Sequence, residues 1–262
     1  MSVHKNSLSI KNCNLNIRKN KPLITIITVV FNGERFIENT ILSVINQSYQ
    51  NIEYIIIDGG SNDHTLDIIK KYDYGIDYWI SESDEGIYDA MNKGINLATG
   101  SWINFMNAGD LFCTLDIINS INGFDDTYDI IYGDSLVYDG KANSSILVKA
   151  KNLSRFNLLF WQTRTVCHQS IFLKTNLVSN FSLNYVLKSE LDQYFKYVSY
   201  RSLKLNLPIC KYLIGGQSAK AFSAEAFEAF QVLFKNNRLF FWIGLPIIFY
   251  RFILSFKSSR KC

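Results

Sequence analysis

The first hundred or so residues switch repeatedly between short apolar runs and polar breaks. Leu23-Ile-Thr-Ile-Ile-Thr-Val-Val-Phe31 is a nearly continuous β-branched run, the pattern of a strand covered on both faces. Asn32-Gly33 breaks it, and from residue 36 to 44 the period changes: Phe36/Ile37, Ile41 and Val44/Ile45 recur on one helical face. Residues 52–58 predict a second strand stopped by Gly59-Gly60, residues 65–72 a second helix, and residues 77–81 a short third strand. Residues 88–98 predict a helix with Gly100 as its C-terminal cap. Residues 102–106 and 129–133 predict a fourth and a fifth strand.

Strands alternating with helices at this spacing predict an α/β fold, a single doubly wound, mostly parallel, Rossmann-like sheet over residues 23–135. Past Gly140 the pattern thins. Residues 168–173 predict a strand, 191–200 a helix and 221–234 an amphipathic helix, with no internal repeat and no glycine/serine linker. Residues 1–22 are polar, lack the apolar core of a signal peptide, and predict a loose basic arm.

The far end is different. Leu239-Phe-Phe-Trp-Ile-Gly-Leu-Pro-Ile-Ile-Phe-Tyr250 is uncharged, Arg251 intervenes, and Phe252-Ile-Leu-Ser-Phe256 follows. A spanning helix needs about 20 mainly apolar residues, a length reached here only by including Arg251 and Pro246. An interfacial or re-entrant helix suits the segment better, and Lys235, Arg238, Lys257, Arg260 and Lys261 beside it suit an anionic leaflet. A buried core helix is the other reading.

Charge sharpens this division. The chain has 262 residues, with 27 Lys+Arg against 23 Asp+Glu. Residues 1–22 carry five basic and no acidic side chains, residues 220–262 seven basic and two acidic, so residues 23–219 stand at −6. A nucleic-acid-binding body would carry its positive charge on the folded domain, and this one does not. The five cysteines are scattered without a C-x-x-C pair, which points away from zinc and redox motifs and toward a reducing compartment.

Ligands of open α/β sheets bind beyond the carboxyl ends of the strands, and polar residues collect there: Asn32-Gly33-Glu34, Asp58-Gly-Gly-Ser-Asn-Asp63, Ser81-Glu-Ser-Asp-Glu-Gly86 and Asn107-Ala-Gly-Asp110. Four polar loops on one rim predict a site. Asp58-Gly59-Gly60 is no dinucleotide fingerprint, because that needs G-x-G-x-x-G opening a helix. A carboxylate at a strand tip suits donors such as a pyrimidine N–H or ribose hydroxyls. Asp110 ends an apolar strand, where a carboxylate needs a partner. A divalent cation bridging two phosphates is one such partner, and capping of a helix beginning near Leu111 is the alternative.

These residues carry a resemblance. Pro22-Leu-Ile-Thr-Ile-Ile-Thr-Val-Val-Phe-Asn32 and Ile55-Ile-Ile-Asp-Gly-Gly-Ser-Asn-Asp-His-Thr65 resemble the opening of an inverting family 2 glycosyltransferase of GT-A fold. Ser81-Glu-Ser-Asp-Glu-Gly-Ile-Tyr-Asp-Ala-Met-Asn-Lys-Gly94 and Phe105-Met-Asn-Ala-Gly-Asp110 extend the match toward the branch that builds bacterial surface polysaccharides. By position, the resemblance implies that Asn32, Asp58, Ser61, Asp63, Asp84 and Asn107 bind the nucleotide sugar. Asp58 would lie beside the base and Asp84 would be the second nucleotide-contacting acid. Lys93 would approach the diphosphate or solvate its helix. Asp110 falls in the family's metal-binding D-x-D region, with Asn107 where the first acid stands, and the implied cofactor is manganese or magnesium.

Cys167-His-Gln-Ser-Ile-Phe172 resembles the branch's H-Q strand, which implies that His168 and Gln169 face the acceptor or the diphosphate. Ser189-Glu-Leu-Asp-Gln-Tyr-Phe195 falls at the family's E-D motif, with Glu190 at the catalytic-base position and Asp192 as the second acid. A carboxylate at a helix amino end is stabilised as the anion, and capping by the same residue is compatible with that role.

The implied organisation is a donor half over 23–135, an acceptor half over 136–219 and a membrane-associating tail over 220–262. The implied reaction transfers a hexose, glucose or galactose, from a UDP-sugar to an undecaprenyl-diphosphate-linked saccharide in O-antigen or capsule synthesis. The place is the inner face of the bacterial cytoplasmic membrane. Two alternatives remain at this point. A sugar-phosphate nucleotidyltransferase would want a glycine-rich basic loop after the first strand, which Asn32-Gly33-Glu34 lacks. A non-catalytic, membrane-docked sugar-binding module would need neither Asp110 nor Glu190.

Overall fold

The computed structural model describes residues 2–5, 21–121, 123–138, 145–213 and 222–236. In chain order its elements are β1 (Ser2–Lys5), β2 (Ile24–Val30), α1 (Ile37–Ile45), β3 (Ile52–Asp58), α2 (Thr65–Lys71), β4 (Tyr78–Ser81) and α3 (Ile87–Leu97). There follow β5 (Trp102–Phe105), β6 (Leu111–Phe112), α4 (Ile117–Ser120), β7 (Ile130–Tyr138), β8 (Ser145–Val148) and α5 (Arg155–Trp161). The last are β9 (Ile171–Lys174), α6 (Ser189–Tyr197), β10 (Ser202–Leu213) and α7 (Phe222–Asn236).

All strands join one sheet in the order β1-β4-β3-β2-β5-β9-β7-β10-β6, with β8 paired to β7. The block β4-β3-β2-β5 is parallel, as the βα alternation predicts. All seven residues of β2 are buried, and its side chains alternate between two cores. Ile24, Ile26 and Val30 pack with Ile37 and Ile41 of α1 and Ile69 of α2. Ile27 and Val29 pack with Tyr88 and Met91 of α3 and with Leu191 and Phe195 of α6. Each fully buried isoleucine contributes about 2 kcal/mol of transfer free energy, so this block anchors the rim above it.

Beyond β5 the sheet becomes mixed. β9 lies antiparallel between β5 and β7. An antiparallel strand enters the sheet at the rim where its parallel neighbours leave it. The residues just before β9 therefore sit beside the carboxyl ends of β2 to β5.

Several expectations change here. Residues 168–173 do not form one strand: His168–Ser170 is a 3₁₀ turn leading into β9. Gly100 does not cap α3, which ends at Leu97. A Cβ on Gly100 would lie 2.8 Å from the Leu23 carbonyl oxygen, so this glycine permits close approach to β2. No helix begins at Leu111; it opens β6, which pairs with β10, so Asp110 caps nothing. Ser2–Lys5 of the expected loose arm pairs antiparallel with β4. The apolar tail from residue 237 lies outside the described residues, and among those residues no helix is long and apolar enough to cross a membrane.

Candidate active site

The rim is built from the strand ends upward. Asp58 closes β3 with a fully buried carboxylate. It accepts from Ser61 N (3.1 Å), from Ser61 Oγ and from Ser81 Oγ (2.6 Å). A buried carboxylate is tolerable when so hydrogen-bonded, and this one ties the exits of β3 and β4 together. The Asp58 oxygens are thus taken by Ser61 of its own loop and by Ser81 of β4.

Ser61 and Asn32 serve the same lattice. Asn32 N donates to Ser61 Oγ (2.7 Å), and Asn32 Oδ1 accepts from Asn62 N (2.9 Å). Asn32 has φ of +50°, a region asparagine enters more readily than most residues. Asp63 accepts from Thr65 N (3.0 Å), Thr65 Oγ1 and Glu34 N (3.1 Å). Burial opposes ionisation of Asp63, but these bonds outweigh it and hold the carboxyl below its ordinary range.

Asp84 differs. It is half-buried, and its Oδ1 accepts from Gly86 N at 2.9 Å. Burial raises its pKa; the Gly86 N–H and Lys93 oppose this, while Asp89 and Asp58 add to it. Lys93 pairs with Glu82 (3.0 Å) and Asp89 (3.3 Å) and donates to Ser83 O (3.1 Å). Of its two expected roles, the structure shows local charge neutralisation.

The other half of the site gathers around β9. Asn104, buried in the middle of β5, donates through Nδ2 to Gln169 O (3.0 Å) and Ile171 O (2.8 Å). These two bonds fix the His168–Ser170 turn against the end of β5. His168 Nε2 consequently meets Asn107 Nδ2 at 3.0 Å, and Gln169 Nε2 donates to Asp110 Oδ2. With the Asn107 amide nitrogen as donor, His168 Nε2 accepts and Nδ1 bears the proton. Burial holds the imidazole pKa down, against the pull of Glu190.

Glu190 stands in the first turn of α6, its side chain 15% exposed, with Oε1 3.7 Å from His168 Nδ1. Its Oε2 accepts from the Tyr88 hydroxyl. Asn107, His168, Glu190 and Tyr88 thus form one connected chain of polar contacts. Asp192 is not part of it. It accepts from Lys235 Nζ (3.0 Å) and Asn236 Nδ2 (2.9 Å) and moors α7 onto α6.

Metal chemistry has a limited donor set here. Among the described residues no three His, Cys, Asp or Glu side chains are grouped to hold an ion. Asp110 has both oxygens committed, to Gln169 Nε2 and to Leu213 N (3.0 Å), and burial pushes its pKa up to about 7 against those two bonds. Asn107 Oδ1, in contrast, is buried with no partner among the described residues. One free amide oxygen beside one hydrogen-bonded carboxyl fits an ion that arrives with a diphosphate, whose oxygens complete its shell. It does not fit an ion held by protein alone, and the expected place of Asp110 in the metal region needs the donor's oxygens beside it.

Sequence reasoning missed Tyr88 and Asn104. An asparagine inside the apolar run Trp102-Ile-Asn-Phe-Met106 is a signal that could have found the second. Nothing local marks the first.

A rim of polar loops on a parallel block, followed by an antiparallel strand and a helix-borne carboxylate, has the GT-A fold. The chain belongs to glycosyl transferase family 2, whose model matches residues 25–181. A PGL/p-HBAD biosynthesis glycosyltransferase of Mycobacterium bovis is 30% identical over 180 residues, covering 65% of this chain and 68% of that protein. TarS of S. aureus in complex with UDP-GlcNAc superposes with a TM-score of 0.64 at 15% identity, over 86% of this chain and 70% of that one. The mannosyltransferase PcManGT of Pyrobaculum calidifontis, in complex with GDP-Man and Mn2+, gives 0.61 at 15% identity, over 88% and 74% of the two chains.

Proposed function

We propose that this family 2 glycosyltransferase inverts the anomeric centre of a hexose, glucose or galactose, as it moves it from a UDP-sugar to a lipid-diphosphate-linked saccharide. The observation that carries the reading is Glu190, a partly exposed carboxylate held by Tyr88 and facing His168 beside the rim. The acceptor hydroxyl attacks the anomeric carbon while Glu190 takes its proton, and the bond from that carbon to the diphosphate oxygen breaks. A single displacement of this kind inverts configuration. Neutral His168 holds Asn107 and faces Glu190, Asp84 receives the nucleoside, and Asp58, Ser61 and Asp63 keep the rim rigid. A divalent cation, manganese or magnesium, held by Asn107 Oδ1, Asp110 and the donor, would neutralise charge on the departing diphosphate.

Support for a nucleotide-sugar donor comes from the structural neighbours, which bind UDP-GlcNAc and GDP-Man. Support for a lipid-linked acceptor comes from sequence: basic residues flank the apolar run 239–256, and an anionic inner leaflet attracts such segments. The place would be the cytoplasmic face of a bacterial membrane, in O-antigen or capsule assembly.

A panel of UDP- and GDP-sugars offered with a synthetic lipid-diphosphate monosaccharide tests the proposal. Transfer from UDP-glucose or UDP-galactose is expected, dependent on added manganese or magnesium. Transfer from GDP-sugars alone, or to water alone, would refute it. Deleting residues 237–262 is expected to release the protein from anionic vesicles, and persistent binding would refute the tail's role.

A further inference from the structure

The exit of β4 lies directly across the exit of β3, and the two glycines after Asp58 make that possible. Gly60 has φ of +81°, and a Cβ on it would stand 3.3 Å from Ser83 N. Gly59 meets a side chain instead. A Cβ built there would overlap Asp84 Oδ2 and lie 3.0 Å from Asp84 Cγ, closer than real Cβ atoms pack. The Asp84 carboxylate therefore occupies the volume that any side chain at position 59 would fill. Gly86 N fixes its Oδ1 at 2.9 Å, which leaves Oδ2 over Gly59 with no hydrogen bond among the described residues. The neighbouring Asp58 is enclosed and committed to Ser61 and Ser81. Of the two carboxylates flanking Gly59, only that of Asp84 is open to a ligand.

We propose, resting on the donor reading above, that Gly59 is a specificity-determining residue: its missing side chain seats the Asp84 carboxylate as the acceptor for the imide N–H of a uracil base. A uracil ring offers one such N–H between two carbonyls, and a carboxylate is its natural complement. Any side chain at 59 pushes this acceptor out of place without altering the diphosphate end of the site.

The two residues are coupled, so a double-mutant cycle on UDP binding measured by calorimetry reads the proposal. Gly59→Ala and Asp84→Ala are each expected to weaken UDP binding about 10-fold, equivalent to about 1.4 kcal/mol. The double variant is expected to bind within about two-fold of Asp84→Ala, because the group that the new Cβ displaces is already gone. Losses that multiply to about 100-fold, or a Gly59→Ala protein that binds UDP like the unchanged chain, would overturn it. Should Gly59→Ala alone fail to fold, the comparison of Asp84→Ala with the double variant decides: equal affinity supports the proposal and further loss overturns it. An unchanged chain that binds no UDP refutes the donor reading as well, whereas UDP binding indifferent to Gly59→Ala refutes only the role of Gly59.

Discussion

The hydroxyl of Tyr88 donates to Oε2 of Glu190 and accepts the backbone N–H of Ser189 at 3.2 Å. One phenol on α3 thus fixes both the carboxylate and the first turn of the helix that carries it. Phe181 stacks on Tyr88 with ring centroids 5.3 Å apart, and Asn92 holds the Phe181 backbone at both N (2.7 Å) and O (3.0 Å). Burial raises the Tyr88 pKa far above its ordinary value, and the nearby charge of Glu190 adds to this. Tyr88 therefore stays a donor throughout the working range.

Tyr88→Phe keeps the ring and its stacking but removes that donor. A hydrogen bond to a charged group contributes about 1.5–3 kcal/mol, so kcat is expected to fall about 10-fold or more, with the donor KM unchanged. Steady-state kinetics checks this, and an unchanged kcat would remove Tyr88 from the mechanism.

Glu190 and Asp192 are expected to separate cleanly. Asp192 is buried and tied to Lys235 and Asn236, so Asp192→Asn is expected to lower stability by about 1–2 kcal/mol while transfer persists. Thermal denaturation and initial rates on the same preparation distinguish the two effects. Loss of transfer at unchanged thermal stability would make Asp192 the base.

Glu228 on α7 accepts from Val186 N (2.9 Å) and Leu187 N (2.7 Å), just ahead of the helix that bears Glu190. Glu228→Ala removes two hydrogen bonds to a carboxylate, one of them from the N–H of the exposed Val186, at a cost of about 1–3 kcal/mol in all. The melting temperature is expected to drop markedly, and a drop of less than about 1 kcal/mol equivalent would contradict the buried contact.

Acidity enters through Asp84. Burial raises its pKa, helped by Asp89 and Asp58 and opposed by the Gly86 N–H and Lys93, so it gains a proton at a pH above its ordinary value of 3.8. The protonated form is the poorer acceptor. Affinity for UDP-glucose is therefore expected to weaken as pH falls, beginning above pH 3.8. Fluorescence or calorimetric titrations across that range check it, and Asp84→Asn should flatten the dependence.

The parallel block was legible because its strands are covered on both faces, which leaves nearly continuous β-branched runs such as 23–31. The second half was less so. β10 mixes exposed and half-buried positions, contains Pro208, and shifts register between Lys204 and Cys210, so neither strand period survives in it. The position of His168 was legible as a motif but not as a turn, since only the antiparallel insertion of β9 puts it on the rim. The hydrogen bonds that hold Asp58 and Asp110 were not legible. Their partners, Ser81 and the Leu213 backbone, lie 23 and 103 residues away, at a range that local pattern does not reach. Glu228 looked like an ordinary polar position on an amphipathic helix, yet it is buried.

The most direct test is the anomeric configuration of the product made from a UDP-hexose and a lipid-diphosphate monosaccharide, read by NMR for the unchanged chain and for Glu190→Gln. The account predicts a product of inverted configuration, with its rate of formation reduced about 100-fold or more in Glu190→Gln. A product of retained configuration, or undiminished transfer by Glu190→Gln, would contradict it.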